Sequence, residues 1–169
     1  VPEVMKSAGA RLVEVGTTNK TRLFDYENAI SEDTGLLLKT HKSNFALKGF
    51  CGEVSVSDLS ALSRSKNLPF YYDLGSGWYG ELNKALKQNE PSISELVKHC
   101  DIVSFSADKL FGSVQAGVIL GRKDLIARLK SNQLLRMLRV DKITLALLNS
   151  TLRAYLQKDF AKIPTLALL

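Results

Sequence analysis

Lys109 stands where a lysine can do covalent chemistry, directly after a short apolar segment. Residues 101–105 (DIVSF) are mostly β-forming or small and show no helical period, which predicts a buried strand leading through Ser106 and Asp108 to Lys109 and Gly112. Ligands of open α/β sheets gather at the carboxyl ends of strands. A lysine that loses solvent there becomes a nucleophile and forms a Schiff base with an aldehyde cofactor such as pyridoxal phosphate. The alternative is a solvated loop lysine, which this segment by itself favours.

Asp73 is the candidate partner of that lysine. Residues 68–73 predict a strand that ends at Asp73, and residues 74–77 (LGSG) predict a turn. Pyridoxal phosphate needs a carboxylate at its ring nitrogen, so that the ring stays protonated and acts as an electron sink. Aspartates at strand ends also cap helices and bind metals, and these roles stay open for Asp73.

Other polar residues have two readings each. Ser104 and Ser106 are able to donate to a cofactor phosphate, or they form turns. Ser106 and Lys109 also match the Ser-x-x-Lys motif of penicillin-recognising enzymes, but the companion motifs of that class are absent from the sequence. Arg136 and Arg139 lie three apart, which on a helix places two guanidinium groups on one side, suited to a phosphate or similar oxyanion. Their alternative is a solvated basic face.

Strands that alternate with helices must position these residues. The pattern predicts a helix at residues 141–156, starting near Asp141, whose apolar stripe belongs to the core (Ile143, Leu147, Leu148, Leu152, Tyr155 and Leu156). Ser57 is the predicted cap of one earlier helix, and Ser92 with Glu95 forms a capping box that opens another, reaching about residue 99. The remaining predicted helices cover residues 2–8, 24–30 and 122–130, and the remaining predicted strands cover residues 11–15, 35–41 and 115–121.

This alternation predicts an α/β domain with a mostly parallel sheet. Four polar clusters follow successive predicted strands, at residues 16–21, 41–44, 73–77 and 106–109. The carboxyl ends of parallel strands share one edge of a sheet, so we expect these clusters to converge. That convergence strengthens the functional reading of Lys109.

Composition sets the class of protein. The 169 residues are 45% hydrophobic and 24% charged, and they contain no apolar run of membrane-spanning length. Two isolated cysteines and two histidines give no disulfide framework and no metal-ligand spacing, so we expect no metal and a cytoplasmic location. The net charge of +6 permits a polyanionic partner without requiring one.

The motifs together resemble one family, the bacterial selenocysteine synthases (L-seryl-tRNA(Sec) selenium transferases). The matching segments are SADKLFG at residues 106–112, QAGVILG at 115–121, LRMLRVDK at 135–142 and TLRAYL at 151–156. Earlier segments fit in the same order, at residues 13–19, 41–44, 49–50 and 73–77. The run from Arg136 to Lys142 is the most specific, because related pyridoxal enzymes share the lysine region more than this one.

The resemblance implies the fold of the aspartate aminotransferase group, a three-layer α/β/α domain with a mostly parallel mixed sheet. It implies that Lys109 holds pyridoxal phosphate, that Asp73 faces the ring nitrogen, and that Arg136 and Arg139 bind the selenophosphate oxyanion. Within this reading we expect the cofactor site also to include His41, Ser43, Ser104, Ser106 and Asp108. The implied activity is a β-replacement that converts seryl-tRNA(Sec) to selenocysteinyl-tRNA(Sec). The alternatives are a paralogous lyase acting on a small amino acid without tRNA, and a catalytically inactive homologue or fragment.

From its resemblance to the family, we expect this sequence to be the central part of a longer enzyme. Residues 1–163 correspond to part of the cofactor-binding large domain and residues 164–169 to the start of a small domain. The tRNA-binding domain and the first part of the cofactor domain are missing, so we expect the isolated chain to be inactive. The family also implies dimers arranged in a ring, with active sites shared between subunits. Ala107 replaces a usual glycine, and Ser113 with Val114 replaces Gly-Pro, which affects backbone freedom beside the lysine.

Overall fold

Short helices and strands alternate along the chain. The computed structural model describes residues 2–16, 19–43, 45–79 and 90–168, so Thr17, Thr18 and Asn44 of the predicted polar clusters lie outside the described residues. The helices in the described ranges are α1 (Pro2–Ser7), α2 (Leu23–Ala29), α3 (Val56–Ser65), α4 (Ile93–Leu96), α5 (Lys123–Ser131), α6 (Leu135–Leu138), α7 (Lys142–Leu156) and α8 (Pro164–Ala167), with a 3-10 turn at Phe160–Lys162.

The strands form one mixed sheet. In the order β1 (Leu37–Thr40), β2 (Phe70–Gly75), β3 (Ile102–Ser106) and β4 (Gly117–Gly121), each strand pairs with the next. The first three strands are parallel and β4 runs antiparallel to β3. Helix α3 connects β1 to β2 and α4 lies between β2 and β3, as parallel strands require. The predicted α/β class with a mostly parallel sheet is confirmed.

Burial alternates along the two central strands. Phe70, Tyr72 and Leu74 of β2 and Val103 and Phe105 of β3 are buried, whereas the residues between them are half-buried. Side chains of a strand point alternately to opposite faces, so one face of the sheet holds the apolar core. That core continues into α3, α4, the turn after β3 and α7, through Leu59, Leu62, Leu96, Phe111 and Tyr155. The opposite face of the two central strands carries their polar residues.

The predicted strand at residues 11–15 is wrong. These residues form no strand in the described chain, and Val13 is more than half exposed. An alternating pattern marks a strand only where a neighbouring strand takes up its backbone N–H and C=O groups. The pairing nearby in the described residues is a single bridge between Lys20 and Gly52.

Helix caps correct one prediction and confirm another. Ser55, not Ser57, caps α3, because its Oγ accepts the backbone N–H of Asp58 at 3.1 Å while the Ser57 hydroxyl pairs with it. Ser92 caps α4 as predicted and accepts the N–H of Glu95 at 3.2 Å. The helix that follows is shorter than predicted, since α4 ends at Leu96 and continues only as a turn.

The apolar stripe of α7 is only partly core. Tyr155 is buried and Leu148 packs against the core, but Ile143 is 67% exposed and Leu156 is 84% exposed. The prediction that the whole stripe is core is therefore wrong within the described residues. Helical period identifies the apolar face of a helix but not what covers it.

The end of the chain packs onto the same core. Ile163 is buried, and Leu166 of α8 packs against the core cluster. The domain boundary between residues 163 and 164 therefore stays a prediction. Among the helices of the described ranges, none combines the length and apolarity that crossing a bilayer needs.

Candidate functional site

Strands β2 and β3 place Asp73 and Ser104 side by side. The two residues are register partners, and Tyr71 lies two residues before Asp73 on the same face of the sheet. The Ser104 hydroxyl donates to Asp73 Oδ1 at 3.0 Å, and the Tyr71 phenol lies 2.7 Å from Ser104 Oγ. Burial raises the pKa of the Tyr71 phenol; the hydrogen bond with Ser104 opposes this, and the Asp73 charge adds to it.

The sheet is irregular directly after Asp73. The register shifts between Asp73 and Gly75, and Gly75 adopts a φ of +71°, which glycine reaches without steric cost. A Cβ placed on Gly75 would lie 3.5 Å from Ser43 Oγ and 4.0 Å from Lys109 Nζ. This irregularity therefore brings Ser43 and Lys109, from two other segments, to the end of the strand that carries Asp73. The predicted convergence of polar clusters is confirmed for these residues.

Lys109 lies on a tight turn between the antiparallel strands. The turn is closed by backbone hydrogen bonds from Ser113 to the Ala107 carbonyl at 2.7 Å and from Ala107 to the Ala116 carbonyl at 2.8 Å. Asp108 and Lys109 themselves are exposed. The lysine therefore reaches solvent in this chain. This agrees with the alternative of a solvated loop lysine, which the sequence of its own segment favoured.

Helix α7 holds this turn from the side of the core. The buried Tyr155 hydroxyl donates to the Phe111 carbonyl at 2.9 Å, and the Thr151 hydroxyl donates to Ser113 Oγ at 2.9 Å. The Phe111 and Tyr155 rings also stack with centroids 4.8 Å apart, and burial raises the pKa of Tyr155 to about 12. Sequence reasoning assigned neither hydroxyl a role, although their spacing of four residues places both on one face of the predicted helix.

The departures from the family pattern fit this turn. Ala107 is fully buried, so its methyl group is part of the core. Ser113 supplies the oxygen that accepts from Thr151, a contact that glycine cannot make. Gly112, with a φ of +73°, supplies the backbone freedom that the turn needs.

His41 lies beside the same strand end. Its backbone N–H donates to the Asp73 carbonyl at 2.8 Å, and its ring Nε2 lies 3.1 Å from Glu90 Oε2. Among the described residues this ring nitrogen is buried and forms no hydrogen bond. The Ser76 hydroxyl donates to the same Glu90 oxygen at 2.8 Å. No sequence signal had marked Glu90.

The remaining predicted residues are not joined to this cluster. Arg136 belongs to α6 and Arg139 follows that helix directly; both are exposed, and neither forms an ion pair within the described ranges. Ser106 is half-buried at the end of β3. In the part of the chain that the structure describes, no group of three or more His, Cys, Asp or Glu side chains is placed to hold a metal ion. The functional roles of all these residues stay predictions.

Comparison with known proteins identifies the fold and the family of this chain. The structure of D-glucosaminate-6-phosphate ammonia-lyase superposes with a TM-score of 0.72 at 26% sequence identity, over 92% of this chain and 38% of that one. The chain therefore has the fold of the matching part of this lyase. The family described as "SelA: L-seryl-tRNA selenium transferase" matches residues 1–169, and the chain belongs to that family. The family resemblance read from the motifs is confirmed.

Individual relatives agree with the family assignment. The L-seryl-tRNA(Sec) selenium transferases of Campylobacter lari and of Campylobacter jejuni subsp. jejuni serotype O:6 are 65% and 67% identical to this chain over its full length. The protein of the same name from Nautilia profundicola is 58% identical over 98% of the chain. The chain spans 38% of the length of the two Campylobacter relatives.

Proposed function

We propose that this chain is the central part of a cytoplasmic enzyme that converts seryl-tRNA(Sec) to selenocysteinyl-tRNA(Sec), using pyridoxal phosphate and selenophosphate. One observation carries the proposal. The strand ends bring Asp73, bonded to Ser104, next to the irregular segment at Gly75 that Lys109 Nζ adjoins. The family assignment supports the substrate, because the curated relatives are named for it.

The residues at this edge of the sheet fit pyridoxal phosphate. Lys109 offers a primary amine for the aldehyde, Asp73 a carboxylate for the ring nitrogen, and Ser43 a hydroxyl that, like the lysine amine, lies beside Gly75. Gly75, without a side chain, leaves the space between Ser43 Oγ and Lys109 Nζ open. When bound, the cofactor supplies the electron sink that loss of the seryl α-proton and β-hydroxyl requires.

The protein's own groups would divide the remaining work. Lys109 Nζ takes the α-proton of the seryl group and returns it after selenium has added at the β-carbon. Its exposed position on a closed turn suits both tasks, because the amine must reach a large substrate from a fixed backbone. Asp73 holds the positive N–H of the cofactor ring by a charge-assisted hydrogen bond.

Arg136 and Arg139 would bind the selenophosphate oxyanion. Each guanidinium is free of carboxylate partners among the described residues, so its donors are available to the substrate. Neither belongs to the Asp73 cluster, which fits a homo-oligomer whose active sites are shared between subunits. The bound tRNA adds a polyanion, and the net charge of +6 favours its approach.

Product formation tests the proposal in the full-length protein that contains this sequence. With pyridoxal phosphate, selenophosphate and seryl-tRNA(Sec), the wild type should form selenocysteinyl-tRNA(Sec), and a Lys109→Ala variant should not. The variant with both Arg136→Ala and Arg139→Ala should keep the cofactor but lose most selenium transfer. A wild type that releases ammonia from a small amino acid and ignores tRNA would overturn the proposal in favour of the lyase reading.

The isolated chain is the matched negative control. It should form no selenocysteinyl-tRNA(Sec), because it lacks most of the length of its relatives. Full activity of residues 1–169 by themselves would refute the statement that further segments complete the site.

A further inference from the structure

Tyr71, Ser104 and Asp73 form a row of side chains on the half-open face of the sheet. They come from adjacent parallel strands, and register fixes their order, because Asp73 pairs with Ser104 and Tyr71 precedes Asp73 by two residues. The oxygen–oxygen distances along the row are 2.7 Å and 3.0 Å. The family resemblance assigns Tyr71 no role, and the residue chemistry offered Ser104 as a donor to the cofactor phosphate or as a turn former.

The direction of the two hydrogen bonds follows from the groups themselves. An ionised carboxylate only accepts, so the Ser104 hydroxyl donates to Asp73 Oδ1. A serine hydroxyl carries one hydrogen, so Tyr71 must donate to Ser104 Oγ. Burial and the nearby Asp73 charge both raise the pKa of Tyr71, which keeps the phenol protonated as this direction requires. The row is therefore a chain of two hydrogen bonds that runs from Tyr71 through Ser104 to Asp73 Oδ1. We call this chain the relay.

The Ser104 hydrogen bond limits the rotation of the Asp73 carboxylate. Oδ1 is occupied by Ser104, and Oδ2 has no hydrogen-bond partner among the described residues. Both supporting residues stand on paired strands, which hold a side chain more rigidly than a loop does. A carboxylate held in this way presents one oxygen to a ligand in one direction.

We propose that Ser104 and Tyr71 are positioning residues that orient Asp73 Oδ2 toward the ring nitrogen of the cofactor. The inference rests on the proposed function, and it gives Ser104 a different role from phosphate binding. The hydrogen of Ser104 is already used on Asp73, so the cofactor phosphate must find its donors elsewhere. Tyr71 acts through Ser104 and does not touch the cofactor.

Four variants of the full-length protein test the relay: Tyr71→Phe, Ser104→Ala, Ser104→Thr and the double variant Tyr71→Phe with Ser104→Ala. The readouts are the dissociation constant for pyridoxal phosphate and the visible circular dichroism of the bound cofactor, which reports how firmly its ring is held. The unfolding temperature of the cofactor-free protein serves as the control for structural damage.

The relay predicts a graded and non-additive pattern. Ser104→Ala should weaken cofactor binding about tenfold, the size expected for one hydrogen bond to a charged group, and should reduce the visible circular dichroism. Tyr71→Phe should weaken it about threefold, and Ser104→Thr, which keeps the hydroxyl, should stay within about twofold of the wild type. The double variant should match Ser104→Ala, because without Ser104 the phenol has no path to Asp73.

Several results would overturn the relay. Unchanged cofactor affinity in Tyr71→Phe and Ser104→Ala, or additive effects in the double variant, would show that the two residues are merely structural. If Ser104→Ala does not fold, Tyr71→Phe decides by itself, since it removes one oxygen and keeps the ring. A wild type that binds no pyridoxal phosphate would refute the proposed function as well, whereas a wild type that binds it beside unaffected variants refutes the relay only.

Discussion

Two regions that the family resemblance assigns to one active site differ in how complete they are. The strand-end cluster comprises Tyr71, Asp73, Gly75, Ser104 and Lys109, and the α6–α7 surface comprises Arg139 and the exposed residues of Leu135–Leu138 and Lys142–Leu156. Around Asp73 the chain supplies its own partners, because hydrogen bonds join Tyr71, Ser104 and Asp73 in a row. A Cβ on Gly75, at the end of the same strand, would lie 4.0 Å from Lys109 Nζ. On α6 and α7, by contrast, Arg136 and the apolar residues beside it face solvent, with Met137 76% and Leu138 73% exposed.

The two regions depend on different contacts. The register of neighbouring strands is determined by residues within the chain, so the strand-end cluster forms when the sheet forms. An exposed run of large apolar residues is the mark of a surface that packs against other protein. The chain spans 38% of the length of its Campylobacter lari relative, and we propose that the α6–α7 surface packs against protein outside these 169 residues.

The largest effect on activity is expected at Asp73, in the strand-end cluster. Asp73→Asn in the full-length protein should lower the rate of selenocysteinyl-tRNA formation about a hundredfold, because it removes the charge opposite the cofactor's ring N–H while keeping the shape. The matched control is Asp58→Asn, an exposed aspartate in the first turn of α3 and outside the predicted site, with little expected loss. Equal losses in the two variants would break the distinction between Asp73 and the other carboxylates.

Tyr155 of α7 contacts the turn that carries Lys109. The variant Tyr155→Phe should show how much this contact contributes to stability. The variant leaves the buried Phe111 carbonyl without its donor, so the free energy of unfolding should fall by about 1–3 kcal/mol. Tyr79→Phe, at an exposed tyrosine, is the control and should change stability by less than about 0.5 kcal/mol. Chemical denaturation of both variants measures the difference.

The same tyrosine gives a pH dependence with a definite sign. Burial raises the pKa of Tyr155 from 10.0 to about 12, so the folded state holds this proton more tightly than the unfolded state. The stabilising contribution is fully present below pH 10 and is lost as the pH rises from 10 to about 12. Unfolding curves measured across that window should fall less steeply with pH in Tyr155→Phe than in the wild type, and identical slopes would contradict the assignment.

Gly75 tests the irregular strand end that brings Ser43 and Lys109 together. Gly75→Ala forces a side chain into a φ of +71°, which should cost about 1–2 kcal/mol of stability and weaken cofactor binding. Gly117→Ala in β4 is the matched control, because a Cβ there meets no atom within 4 Å and its φ is not in the left-handed region. Equal unfolding midpoints for the two variants would show that the backbone at Gly75 is not constrained.

The smallest effect on stability is expected on the α6–α7 surface. Leu156→Gln changes a side chain that is 84% exposed, so the stability of the isolated chain should stay within about 0.5 kcal/mol of the wild type. In the full-length protein the same change should weaken self-association, as sedimentation would show. A large loss of stability in the isolated chain would mean that α7 buries this face within the chain after all.

Sequence reasoning went furthest where local rules decide. The strands β2 and β3, the cap at Ser92 and the polar strand ends at Asp73 and Lys109 were all predicted from the sequence. The strand period of two would also have placed Tyr71 beside Asp73, since residues two apart on a strand share a face.

What the sequence could not supply depended on distant partners. Residues 11–15 alternate like a strand but pair with no strand among the described residues. The exposed face of α7 has the pattern of a core face, because periodicity does not identify what covers it. Glu90 meets His41 across a separation that no local pattern encodes. Family resemblance, not residue chemistry, identified the tRNA and selenophosphate.

The most direct test of the central claim is to locate the cofactor covalently. The full-length protein would be incubated with pyridoxal phosphate, reduced with borohydride, digested, and analysed by mass spectrometry, with Lys109→Arg as the control. We predict that the pyridoxyl group is found on Lys109 in the wild type and on no lysine of the variant. Labelling of another residue, such as the largely buried Lys39 beside Glu53, or no labelling at all, would contradict Lys109 as the cofactor lysine.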